Sequence, residues 1–146
     1  MDIYYKPISE SGKQMINYVC KYAPVELFKG FGQECAVLEE MPENFDKSDK
    51  IAHANLCGFG KSVIQAVLEG KVEELVLVNC CDSMRRVYDI IENTKKCKFL
   101  YMLDLPHEDN ECENIKFAQS ILRLKKAYER YSHRTFDREL FIKSFA

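Results

Sequence analysis

No stretch of this 146-residue sequence approaches the roughly 18 consecutive apolar residues of a membrane-spanning helix. The start, Met1-Asp2-Ile3-Tyr4-Tyr5-Lys6, lacks the apolar core of a secretory signal. Both absences predict a cytoplasmic chain with no membrane partner. An excess of positive charge is also absent. The net charge is −2 and Lys and Arg are scattered, so neither nucleic acid nor an anionic membrane is an expected partner. Internal repeats, low-complexity segments and a Ser/His/Asp set are absent, as is any Cys-x-x-Cys pair, so no closed zinc or cluster motif is written locally.

Cysteine, in contrast, is plentiful. The seven are Cys20, Cys35, Cys57, Cys80, Cys81, Cys97 and Cys112. An odd count without an export signal points to a reducing compartment, with free thiols or metal ligands rather than a disulfide framework. At this length, and with 47% hydrophobic residues, one domain can bury about two thirds of its unfolded surface.

The clearest local signal is Leu75-Val76-Leu77-Val78, followed by Asn79-Cys80-Cys81-Asp82-Ser83. A continuous aliphatic run is the mark of a strand covered on both faces. Asp82 and Ser83 read as N-cap residues of a helix over 83–93, with Met84, Val87, Tyr88 and Ile91 inward. Phe99 to Leu103 reads as a further strand, ended by Asp104-Leu105-Pro106. Upstream, residues 51–57 end at Gly58-Phe59-Gly60, which places Cys57 at a second strand end. A helix follows through Val63, Ile64, Val67 and Leu68 and stops at Gly70.

The rest of the chain is less sharply marked. Residues 1–8 look extended. Residues 9–22 read as a helix with Met15, Ile16, Val19, Cys20 and Tyr22 on one face, stopped by Pro24. Residues 25–28 and 35–38 are strand candidates, and 41–50 is a loop or short helical turn. Residues 112–131 form an amphipathic helix through Ile115, Ala118, Ile121, Leu122, Lys125 and Tyr128, and 136–145 a last helix with Asp137 near its start. Strands alternating with helices predict an α/β, Rossmann-like three-layer domain, a short parallel sheet flanked by helices.

In open parallel sheets, ligands gather beyond the carboxyl ends of the strands. That rule sets Cys57, Cys80, Cys81 and Asp104 on one rim. A thiolate near a helix N-terminus is stabilised by the helix dipole and free N–H groups, and an anionic iron–sulfur cluster uses the same donors. Cys80 alone is equally a buried strand residue. Cys20, on a helix face, and Cys35, Cys97 and Cys112 read as packing or incidental. Gly58-Phe59-Gly60-Lys61-Ser62 imitates the end of a phosphate-binding loop, but the motif needs glycine where this chain has Asn55, so it reads as a helix start with Lys61 solvated. Arg85 and Arg86 could neutralise an anionic cluster or meet an acidic partner. His53, His107 and His133 read as surface or loop groups.

Leu56-Cys57-Gly58-Phe59-Gly60-Lys61-Ser62, Asn79-Cys80-Cys81-Asp82-Ser83-Met84-Arg85-Arg86 and Tyr101-Met102-Leu103-Asp104-Leu105-Pro106 together resemble the amino-terminal part of 2-hydroxyacyl-CoA dehydratase family subunits. Tyr128-Glu129-Arg130-Tyr131 and Thr135-Phe136-Asp137 extend the likeness to most of the chain. The same family includes benzoyl-CoA reductase subunits and double-cubane cluster proteins.

The resemblance implies a [4Fe–4S] cluster between domains, held by first-domain cysteines matching Cys57 and Cys81, with Cys80 a further candidate, and by one cysteine from a later domain. It also implies an ATP-dependent activator that injects one electron, and an acyl-CoA substrate reduced to a ketyl radical before water is eliminated. Family members are longer. Residues 1–146 are thus expected to be a single Rossmann-like domain from a longer iron–sulfur subunit. It would be inactive and cluster-free alone, and completed by a downstream domain or a second dehydratase subunit. An electron-transfer subunit of the double-cubane or benzoyl-CoA reductase kind, and a non-catalytic interaction domain, are the alternatives.

Overall fold

A computed structural model of the chain describes residues 15–39 and 41–146. Leu75, Val76, Leu77 and Val78 are completely buried. They belong to the strand β3 (Glu74–Val78), whose two faces are both covered. It pairs with β4 (Phe99–Leu103) on one side and β1 (Ile16–Tyr18) on the other, and β1 pairs with β2 (Cys35–Val37). All pairings are parallel and the order is β2-β1-β3-β4. The aliphatic run therefore marks an inner strand, as its composition predicts.

Side chains of β3 alternate between two cores, following the two-residue period of a strand. Leu75 and Leu77 meet Val63, Ile64 and Val67 of α2 (Gly58–Leu68), and Met84, Val87 and Ile91 of α3 (Asp82–Thr94). Val76 points the other way. It joins Leu27 and Phe28 of α1 (Val25–Lys29) and Leu124 and Tyr128 of α4 (Glu111–Ser132). The last helix, α5 (Arg138–Lys143), packs on α1. Helices on both faces of a parallel sheet make the three-layer, Rossmann-like α/β architecture expected from the sequence.

Tyr128 centres the second core, with its ring edge-on to Phe28, Phe31 and Phe99 at 5.2, 5.1 and 5.3 Å. Arrangements of this kind are the favoured geometry of aromatic pairs.

Several elements differ from expectation. The predicted helix over 9–22 falls partly outside the described residues, and its remainder contains β1. Ile16 and Val19 fit a helical stripe, but pairing with β2 and β3 decides the conformation. Residues 25–28 are helix α1 rather than a strand. Pro24 stands immediately before it as the N-cap, and its carbonyl accepts from Leu27 N to close the first turn. Residues 51–57 form turns after a short 3-10 turn at Ser48–Lys50, not a strand. On α4 the buried stripe is Ser120, Leu124 and Tyr128, while Ile115 and Leu122 are exposed. The buried face is thus rotated from the predicted one, towards the aromatic core.

Candidate functional site

Because every strand is parallel, the carboxyl ends of β1, β3 and β4 and the amino ends of α2 and α3 meet at one edge of the sheet. Cys57 is the N-cap of α2. Its backbone is extended, and its sulfur accepts a hydrogen bond from Gly60 N at 3.3 Å. Glycine at 60 lets α2 approach α3 closely: a Cβ there would sit 3.0 Å from Val87 Cγ2 and 3.2 Å from Leu56 Cγ. The approach loop is pinned from inside by Gln65, whose Oε1 accepts from Lys47 N at 3.0 Å and Ser48 N at 2.8 Å.

Cys81 is the N-cap of α3, with Asp82 its first helical residue. This corrects the expectation that Asp82 and Ser83 cap the helix: the extended backbone falls one residue earlier. The Cys81 thiol makes no capping hydrogen bond and is exposed, as are those of Cys57 and Cys80. The turn carrying both thiols is fixed by its neighbours. Asn79 N donates to Leu103 O at 2.9 Å and Cys80 N to Val78 O at 2.7 Å. The Asn79 amide donates to Asp104 Oδ1 at 3.0 Å and accepts from Arg85 Nε at 2.9 Å. Asp104 thus shapes the rim from β4, and Arg85 buttresses the cysteine turn.

Cys20, read from sequence as a residue on a helix face, instead follows β1, which runs beside β3, so it stands next to the strand end that leads to Cys80. Burial, and then the thiols of Cys20 and Cys81, push the Cys80 thiol up to about 11.

The remaining cysteines are elsewhere. Cys35 and Cys97 pack against the two cores, and burial pushes their thiols up to about 12 and about 11. Cys112 is exposed on α4.

A cavity of about 310 Å³ lies between the two cysteine-capped helices. It is lined by His53, Asn55, Leu56, Asp82, Ser83, Arg86 and Ile90, so the immediate neighbours of Cys57 and Cys81 face each other across it. Arg86 brings positive charge here, while Arg85 is engaged by Asn79. The run Gly58–Ser62 is the first part of α2, as the helix-start reading expects, but Lys61 is not solvated: it pairs with Asp49 at 3.0 Å and its side chain is only 19% exposed. His53 holds a turn by accepting from Asn55 N at 3.1 Å. Among the described residues, no three His, Cys, Asp or Glu side chains converge to hold a metal ion, and no helix is long and apolar enough to cross a membrane.

Compared with protein families, residues 20–146 match the family described as 2-hydroxyglutaryl-CoA dehydratase, D-component. A comparison with curated proteins returned no match.

Proposed function

Since this chain belongs to the 2-hydroxyglutaryl-CoA dehydratase D-component family, we propose that it supplies part of a [4Fe–4S] site used in dehydrating a 2-hydroxyacyl-CoA. The observation that carries the reading is the placement of Cys57 and Cys81, two exposed cysteines that stand at the N-cap positions of α2 and α3 at the same edge of a parallel sheet. Thiolates are the donors such clusters take, and helix N-termini favour their anionic form. Cys57 and Cys81 are the first ligands in this reading, and Cys80 is the third candidate.

The donor set fits as part of a ligand shell. Because no three donors converge among the described residues, other residues complete the set, from a downstream domain or a second dehydratase subunit. When bound, the cluster supplies one-electron reduction, fed by an ATP-dependent activator. The chain's own residues hold and tune it. The Gly60 N–H directed at the Cys57 sulfur would stabilise charge on that ligand, and such bonds adjust a cluster's potential. Arg86, lining the cavity between the helices, adds positive charge beside an anionic centre. The Asn79–Asp104–Arg85 network keeps the Cys80-Cys81 turn in place.

Anaerobic reconstitution with ferrous iron and sulfide tests the reading, with a small thiol in the buffer standing in for donors from outside the chain. Visible charge-transfer absorption and EPR report the product. Iron uptake is expected, and Cys57→Ser or Cys81→Ser should reduce it to background. Unchanged uptake in either variant removes that residue from the site.

A further inference from the structure

We infer that Cys20 is a further thiol of the rim site, paired with Cys80 and presented to the same thiolate-binding metal centre. The inference rests on the reading of the rim as an iron–sulfur site and adds a donor from a third strand end.

Three observations place it there. Cys20 follows β1, the strand between β2 and β3. The chain leaves β1 for β2 on one side and later returns to β3 on the other. Ligands of open α/β sheets collect at such a reversal of strand order.

The second observation is the backbone. Cys20 has φ of 85°, in the left-handed region that a residue with a Cβ avoids. Glycine would take this conformation freely. The turn is closed by Ala23 N donating to Cys20 O at 3.1 Å. A cysteine kept where glycine is easier points to its side chain as the reason.

The third is the company the thiol keeps. Cys35 and Cys97 pack against the apolar cores, whereas Cys20 belongs to neither core. It is half-buried, and the pairing of β1 with β3, in which Val19 N donates to Val76 O at 3.1 Å, sets it beside the end of β3 that leads to Cys80 and Cys81. Packing therefore accounts for Cys35 and Cys97 and leaves Cys20 unexplained. A pair of neighbouring thiols at a rim is the arrangement a soft, thiophilic metal centre engages.

Two probes test the pair, each read by alkylation of remaining thiols and peptide mass spectrometry on the full chain. The first is phenylarsine oxide, which forms two S–As bonds with neighbouring thiols and releases its oxygen as water with the two thiol protons. It should protect Cys20 together with Cys80. Cys20→Gly, which the left-handed backbone accommodates, should fold at least as stably by thermal melting and lose that capture. The second probe is ferrous iron with sulfide, under which Cys20 should become protected along with Cys57 and Cys81. If the arsenical leaves Cys20 freely alkylated, or takes Cys80 with Cys81 instead, the pair is overturned. If iron protects Cys57 and Cys81 but not Cys20, the role of Cys20 fails while the cluster reading stands. If no iron is taken up, both fail.

Discussion

A thiol at the end of a strand and a thiol inside a core are the same residue type in very different surroundings. Cys35 and Cys97 are held up to about 12 and about 11 by burial and stay protonated at neutral pH. Cys57, Cys81 and Cys112 are exposed. Iodoacetamide should therefore modify Cys57, Cys81 and Cys112 first in the native protein, ahead of Cys80, which is also exposed but has its thiol pushed up to about 11. Cys35 and Cys97 should react only after unfolding, as peptide mass spectrometry over a time course would show. Early labelling of Cys97 would contradict its place in the core.

Glu74 is a second residue whose surroundings set its behaviour. It is buried, and one carboxylate oxygen accepts from the Tyr131 hydroxyl at 2.8 Å while the other has no hydrogen-bond partner. Burial raises its affinity for a proton, against the pull of the Tyr131 hydroxyl and Arg134. A carboxyl group with a raised folded value contributes stability that is complete below the ordinary glutamate range, near pH 4.3. That stability is lost as pH rises through the folded value. Glu74→Gln should remove this loss, so the variant gains stability over wild type as pH rises from about 4 to 7. Urea denaturation of both proteins across that range would reveal the gain, and parallel curves would sink the account.

Among single residues, the placement of Cys57 and Cys81 at helix starts was legible because apolar or glycine-rich signals bracket them. Cys20 was not, because its strand is only three residues long and pairs with partners distant in sequence.

At the scale of elements, α2 does the most to position the rim. Gly60 lies against Val87 and Leu56, and an added methyl would need these side chains to give by a few tenths of an ångström. Gly60→Ala should cost about 1–3 kcal/mol, the usual penalty of overpacking. It should also disturb the N–H that points at Cys57. Chemical denaturation measures the first effect. Gln65 is buried and ties two backbone N–H groups of the approach loop to α2. Gln65→Leu would strand those donors at a cost of about 1–3 kcal/mol, whereas a change within a few tenths would mean the loop is held by other contacts.

Elements from Gly58 to Leu103 were readable because each has one dominant period: aliphatic continuity for β3 and a clean helical stripe for α2 and α3. Residues 16–28 were not. Short apolar runs such as Ile16–Val19 and Val25–Phe28 suit either period, and only tertiary pairing chooses between them. On α4 the predicted stripe included Ile115 and Leu122, which are exposed, because packing against the aromatic core buries Leu124 and Tyr128 instead.

For the whole molecule, the parallel sheet is what converts dispersed cysteines into neighbours. Positions 20, 57, 80 and 81 come to one edge because β1 and β3 end there and α2 and α3 begin there. The α/β class was legible from the alternation of strand and helix, but the order β2-β1-β3-β4, which brings Cys20 beside Cys80, depends on long-range pairing that no local pattern encodes. The central claim is that this edge holds iron and sulfide. Its most direct test is the iron and acid-labile sulfide content of the protein isolated anaerobically with its bound components, combined with its EPR spectrum after reduction. The account predicts iron and sulfide in equal amounts, a reducible cluster signal, and loss of both in Cys81→Ser. A preparation without iron, or a Cys81→Ser protein with its iron and signal intact, would contradict it.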